Sequence, residues 1–170
     1  MEYHINDTVM YGADSVCVIS EITERKIGTE IHKYYILKPV YDSKSTIMVP
    51  LANENLVGKM KELLNGDELR LALERAQNAE FDDIENDSVQ KEAFHKAIDN
   101  SDLFALLCLT KTLYVRRKNQ EEKGKRLHVA DERMLKETEK VIFEEFAQVL
   151  DMEKSAAAEY VRGSLLLKTS

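Results

Sequence analysis

Three runs of β-branched and aromatic residues lie between Tyr11 and Pro50, and no other part of the chain carries them at that density. Val16, Val18 and Ile22 alternate with Cys17 and Ile19, Tyr34 and Ile36 with Tyr35 and Leu37, and Ile47 and Val49 with Thr46 and Met48. A period of two in such residue types predicts half-buried strands. The stretches between them, Gly12 to Ser15, Ile27 to Thr29 and Asp42 to Lys44, are short and turn-forming, which predicts antiparallel neighbours. With Thr8 to Tyr11 ahead and the Leu56/Val57 region behind, four or five short strands precede Gly58. A sheet this small avoids exposed edges most easily by curling into a barrel.

Beyond Gly58 there is no proline, and the glycines are Gly66, Gly124 and Gly163, so helix is expected throughout. Lys59 to Leu64 reads as a short helical segment ended by Asn65-Gly66, and Asp67 opens a helix with Leu69, Leu73 and Ala76 on one face. The acidic, turn-rich run Glu80 to Ser88 reads as a linker. Ser88 then caps a helix burying Val89, Ala93 and Ala97, with Phe94 and Ile98 beside them. Asn100-Ser101-Asp102 starts another, carrying Leu103, Leu106, Leu107, Thr110, Leu113 and Tyr114 into a basic segment that Gly124 terminates. Leu135, Thr138, Ile142, Phe146 and Val149 form the stripe of the following helix. Asp151 begins the last, which buries Ala157, Val161 and Leu165. The expectation is an α+β chain in which residues 1–58 form a small antiparallel barrel and residues 59–170 a compact helical domain.

No apolar run approaches the ~18 residues of a membrane span, and Glu2, His4, Asn6 and Asp7 interrupt any leader-like core. Cys17 and Cys108 read as two reduced thiols of a cytoplasmic protein. The four histidines, His4, His32, His95 and His128, share no ligand-like spacing with each other or with the cysteines, so no metal site is expected. Neither a nucleophile, histidine and acid signature nor a glycine-rich phosphate loop is present, which argues for a non-enzymatic protein without a cofactor. The net charge is −7, yet residues 116–126 carry six basic and two acidic side chains, leaving −11 for the rest. Arg116, Arg117, Lys118, Lys123, Lys125 and Arg126 are therefore candidate phosphate contacts; equally, they are cations suited to a helix C-terminus.

The order of motifs in the β-rich stretch is similar to that of the polymerase-interacting domain of the bacterial CarD/CdnL transcription regulators. This Tudor-like barrel occurs also in the transcription-repair coupling factor. The matching segments are Asp7 to Tyr11, Glu24 to Gly28, Tyr34 to Lys38, Thr46 to Pro50 and Leu56 to Gly58. Arg116-Arg117, Lys123 to Leu127 and Glu132-Arg133-Met134-Leu135 resemble the family's helical domain. With no helicase phosphate loop in 170 residues, the coupling factor itself is excluded.

The resemblance implies docking on the β subunit of RNA polymerase, with Arg25 and Lys26 at the first hairpin and Ile47, Met48 and Pro50 in a later strand as contacts. It implies further that the helical domain touches promoter DNA at the edge of the melted region and favours the open complex. The six cations of residues 116–126 would then serve as the DNA contacts of a monomer held at the nucleoid through polymerase. Two departures stand out. Met48 replaces an arginine found in some members, and Asp87 falls where some place a wedging tryptophan, a residue this chain lacks. Either Phe94 or Phe81 substitutes, or the wedge is lost. The rival reading is an adaptor that docks on polymerase without touching DNA, with which the acidic balance, Asp87 and Met48 all agree.

Overall fold

The computed structural model describes residues 2–80 and 87–166. The chain divides into two units, Met1–Leu63 and Leu64–Ser170. The first contains a five-stranded antiparallel sheet: β1 (Thr8–Tyr11), β2 (Val16–Ile27), β3 (Glu30–Pro39), β4 (Ile47–Pro50) and β5 (Met60–Glu62). The helices are α1 (Glu54–Val57) in the first unit and α2 (Gly66–Asn78), α3 (Asp87–Asp99), α4 (Leu103–Glu122), α5 (Val129–Leu150) and α6 (Lys154–Leu166) in the second.

The strand order is β4-β3-β2-β1-β5. The ladder does not close: β4 and β5 are its ends, so the expected barrel is present as its strands and not as a hydrogen-bonded cylinder. One face gathers Tyr3, Val9, Tyr11, Cys17, Ile19, Tyr35, Leu37, Val49 and Met60 into a core. Tyr3 shows how this core accommodates a polar group. Its ring meets Tyr35 edge-on at 6.0 Å, while its hydroxyl donates to the Met60 carbonyl at 3.0 Å. Leu56 and Val57, expected near a last strand, pack on the core from α1 instead. Asn53 explains the change, because its side chain accepts from the Leu56 N–H and caps a helix there. The last strand is β5, within the segment expected to be helical.

β2 and β3 stay paired from Cys17↔Pro39 to Ile27↔Glu30, interrupted by an irregularity between Ile19 and Glu21. The extra residue, Ser20, donates its hydroxyl to the Ile36 carbonyl. Such a bulge bends the strand and strengthens its twist. Before it, Val16, Cys17 and Ile19 are fully buried; beyond it, Ile22, Ile27 and Ile31 are exposed.

In the second unit, Asn65 starts a helix where a stop was expected. Its side chain accepts from the Glu68 N–H, and Glu68 returns the bond to the Asn65 N–H, a capping box. The linker expected at Glu80 to Ser88 lies largely outside the described residues, and Asp87 and Ser88 are already helical. α3 is rotated relative to the expected face: Gln90, Phe94, Ala97 and Ile98 are buried, whereas Val89 is 49% exposed. Asp102 caps α4 through the Ala105 N–H, as expected. Gly124, at φ 71°, ends it: Lys125 N–H donates to the Gln120 carbonyl and Gly124 N–H to that of Glu121, the paired bonds of a Schellman turn. Asp151 closes α5 in the left-handed region, φ 52°, and does not begin α6. α6 buries Ala157, Val161 and Leu165 as the periodicity requires.

Candidate functional sites

The first site is the β2–β3 hairpin with the adjoining strand β4. Arg25 pairs in register with His32, Thr23 with Tyr34, Tyr34 with Pro50, and Ile36 with Met48. Because paired residues share a face and neighbours alternate, Arg25, Thr23, His32, Tyr34, Met48 and Pro50 stand on the face opposite the core residues Tyr35, Leu37 and Val49. Ile47 and Lys26 belong to the other face: Ile47 pairs with Leu37 and packs against the core, and Lys26 pairs with Ile31 near the hairpin tip. The sequence-derived contacts are thus divided between two faces.

Arg25 is exposed, and among the described residues no side chain pairs with its guanidinium. Its neighbours are already engaged: His32 lies 3.4 Å from Glu30, and Lys33 lies 3.7 Å from Glu24. Met48, 37% exposed, lies on the same face, two strands away and four residues further along the ladder. An exposed guanidinium on the same face as Tyr34, Met48 and Pro50 suits a carboxylate on a partner that also presents apolar groups. β4 adds an open edge, since it pairs with β3 alone.

The second site is the end of α4 and the loop into α5, and it divides the six cations. Lys118, Lys123, Lys125 and Arg126 are exposed, and no side chain pairs with them among the described residues. The other two are engaged. Arg117 lies over the Tyr114 ring at 5.2 Å. Arg116 donates from Nη1 to Asp131 Oδ2 at 3.1 Å, with side chains only 15% and 10% exposed. Gln90 Nε2 donates to the other carboxylate oxygen, also at 3.1 Å. Phe94, one candidate for a wedge, is buried and in contact with the His95 ring, and Phe81 lies outside the described residues.

Sequence reasoning missed a set of polar groups inside the helical unit. Tyr114 donates its hydroxyl to Glu139 Oε2, which also accepts from Arg162 Nε at 2.9 Å. Burial, reinforced by that carboxylate, raises the pKa of the Tyr114 phenol, and the hydrogen bond to Glu139 raises that of Arg162. Lys111 Nζ donates to the carbonyls of Ala76, Gln77 and Ala79 at the end of α2. Glu145, 3% exposed, accepts from the Leu64 N–H. The sequence marks position and not partner: Lys111 follows Leu107 by four residues and Glu145 follows Ile142 by three, so both fall on buried stripes whose apolar members name no partner for them. Among the described residues, no group of histidine, cysteine and acidic side chains is placed to hold a metal ion, and no helix is long and apolar enough to cross a membrane.

Compared with known families, residues 3–61 match the CarD-like/TRCF RID domain. The matched span runs from Tyr3 of the core into β5, and so takes in the whole first site. Nothing among curated proteins matches the chain.

Proposed function

With its N-terminal unit a CarD-like/TRCF RID domain, a protein-interaction module related to RNA polymerase binding, we propose that this protein is a non-enzymatic transcription regulator. In this proposal it docks on the polymerase β subunit through the β2–β3–β4 face, and its helical unit modulates the stability of the promoter open complex. The observation that carries docking is Arg25: an exposed guanidinium, without a side-chain partner among the described residues, on the same face as Tyr34, Met48 and Pro50 within a domain of that family. The face offers one ionic anchor and an apolar surround, so Met48 contributes buried area in place of a second charge.

The helical unit's part follows from population shift. A factor that touches only the opened promoter stabilises it by the difference in its affinities for the two states, and no chemistry is required. Lys118, Lys123, Lys125 and Arg126 supply phosphate contacts to one side of the opened region. The test has two arms. A pull-down with the N-terminal lobe of the β subunit should retain the protein, and open-complex lifetime on a forked promoter fragment should change when it is added. Binding to the lobe with an unchanged lifetime would establish the polymerase adaptor instead, and failure to bind the lobe would overturn the docking proposal.

A further inference from the structure

The arginine that opens the basic segment is the one least available to a ligand. Arg116 sits two turns before the end of α4, and its carboxylate partner Asp131 sits in the first turn of α5. Between them run the Schellman turn at Gly124, the four exposed cations and Leu127, which is buried. The ion pair therefore closes the base of the α4–α5 loop. Gln90 adds the start of α3 to the same point, because its amide donates to the second oxygen of the Asp131 carboxylate. The first turn of α5 is also where a helix favours a carboxylate.

We propose that Arg116 is a positioning residue and not a phosphate contact: with Asp131 and Gln90 it locks the stem of the α4–α5 loop and so holds Lys118, Lys123, Lys125 and Arg126 in a fixed arrangement. An arginine withdrawn from Asp131 to reach a phosphate would leave that carboxylate buried without its cation, a cost that one surface contact does not return. Holding the loop fixed has the opposite effect. Cations already ordered in the free protein lose less freedom on binding. The inference rests on the proposed DNA role of this loop, and the experiment separates failure of the one from failure of the other.

The variant is Arg116→Met, with Arg116→Lys beside it, compared with wild type in two measurements. The first is hydrogen exchange of amides 123–128, which needs no DNA. A locking role predicts faster exchange in R116M while the α6 amides stay protected; unchanged exchange in the loop overturns it. The second is the salt dependence of binding to a forked duplex. A positioning role predicts affinity weakened about three- to tenfold with the slope of log K against log salt unchanged. A phosphate contact predicts a slope shallower by ~0.9, which would overturn the assignment. Should R116M fail to fold, R116K carries the test: it keeps the charge but not the planar fork, so positioning predicts loosened exchange and a phosphate contact predicts wild-type behaviour. If wild type itself ignores DNA, the DNA reading falls, and the exchange result still decides whether Arg116 locks the loop.

Discussion

Lys111 lies in the middle of α4 on a buried face with Leu107, Thr110 and Tyr114, and a helix-propensity argument treats Lys111→Met as harmless or favourable. The structure predicts the reverse. The ammonium is 6% exposed with the residue and donates to three carbonyls at the end of α2, at 3.2 Å to Ala76, 2.9 Å to Gln77 and 2.9 Å to Ala79. The last carbonyls of a helix have no intrahelical donors, and a cation there also meets the negative end of the helix dipole. Methionine fills the space of the stem but donates nothing. The Ala76 carbonyl, on a fully buried residue, then loses its charged partner and keeps the Ala79 N–H as donor, whereas those of Gln77 and Ala79 are near enough to the surface to regain water. The charged hydrogen bond lost at this buried acceptor costs about 1.5–3 kcal/mol, and two half-recovered charged hydrogen bonds add about 1–2. Against this, the buried ammonium no longer has to be desolvated, which returns about 1 kcal/mol or more. The net expectation is a loss of about 2–3 kcal/mol, or roughly 10–20 °C in the melting temperature of a unit this size. Thermal or urea unfolding of the full chain followed by far-UV circular dichroism measures it. If K111M is as stable as wild type, the three contacts contribute nothing net, and apolar packing alone joins α2 to α4.

Three further outcomes are expected. Arg25→Glu should weaken binding to the polymerase β lobe by about tenfold or more in a titration, with unchanged melting, because the residue is exposed and supports nothing in the fold. Ser15→Gly should raise the stability of the sheet unit by about 1–2 kcal/mol in urea unfolding: Ser15 holds φ 65° and ψ −135°, a region suited to glycine, and its buried hydroxyl finds no partner among the described residues. Alkaline pH should destabilise the helical unit. The Tyr114 phenol ionises near pH 10 in the unfolded chain and higher in the native state, so stability is full below that pH and falls above it by at most about 1.4 kcal/mol per pH unit. Tyr114→Phe should flatten that fall, which a series of melts between pH 9 and 11 would detect.

The strands were legible because alternation, turn chemistry and β-branching agree over residues 11–50, and the helices because apolar spacing survives in α2, α4, α5 and α6. Misreadings arose where one side chain decided between two structures. Asn65-Gly66 is turn-forming by composition, but Glu68 three residues later completes a capping box and converts a stop into a start. Asp151 looks like an N-cap, yet it takes the left-handed conformation that ends α5, which asparagine and aspartate tolerate better than most residues. In α3 the apolar set favours Val89 and Ala93, and the buried face instead includes Gln90, because Asp131 satisfies it. A polar residue on a buried stripe is uninformative until its partner is known, and that partner lies 41 residues away. Closure of the sheet was not legible, since it depends on whether the two end strands meet and not on any residue pattern within them.

How much the basic segment can do alone follows from the same division of cations. Six basic residues suggest a salt slope near −5, whereas the four that are exposed and without a side-chain partner among the described residues give about −3.6 at most. A slope that shallow belongs to weak, non-specific contact, and the −11 carried by the rest of the chain opposes even that. Under the proposed function, docking of the sheet unit would remove the deficit. A tethered helical unit meets nearby DNA at an effective concentration of about a millimolar, so contacts too weak to find a promoter suffice to bias one already bound by polymerase. On the proposed function, then, the two halves divide the work by magnitude: docking at Arg25 supplies affinity, and the loop held by Arg116 and Asp131 supplies the small difference between closed and open states. Severing the halves should abolish the effect on open-complex lifetime even at concentrations where the intact chain saturates. Retention of the effect by the isolated helical unit at the same concentration would show that the loop binds strongly by itself and that counting its free cations underestimates it.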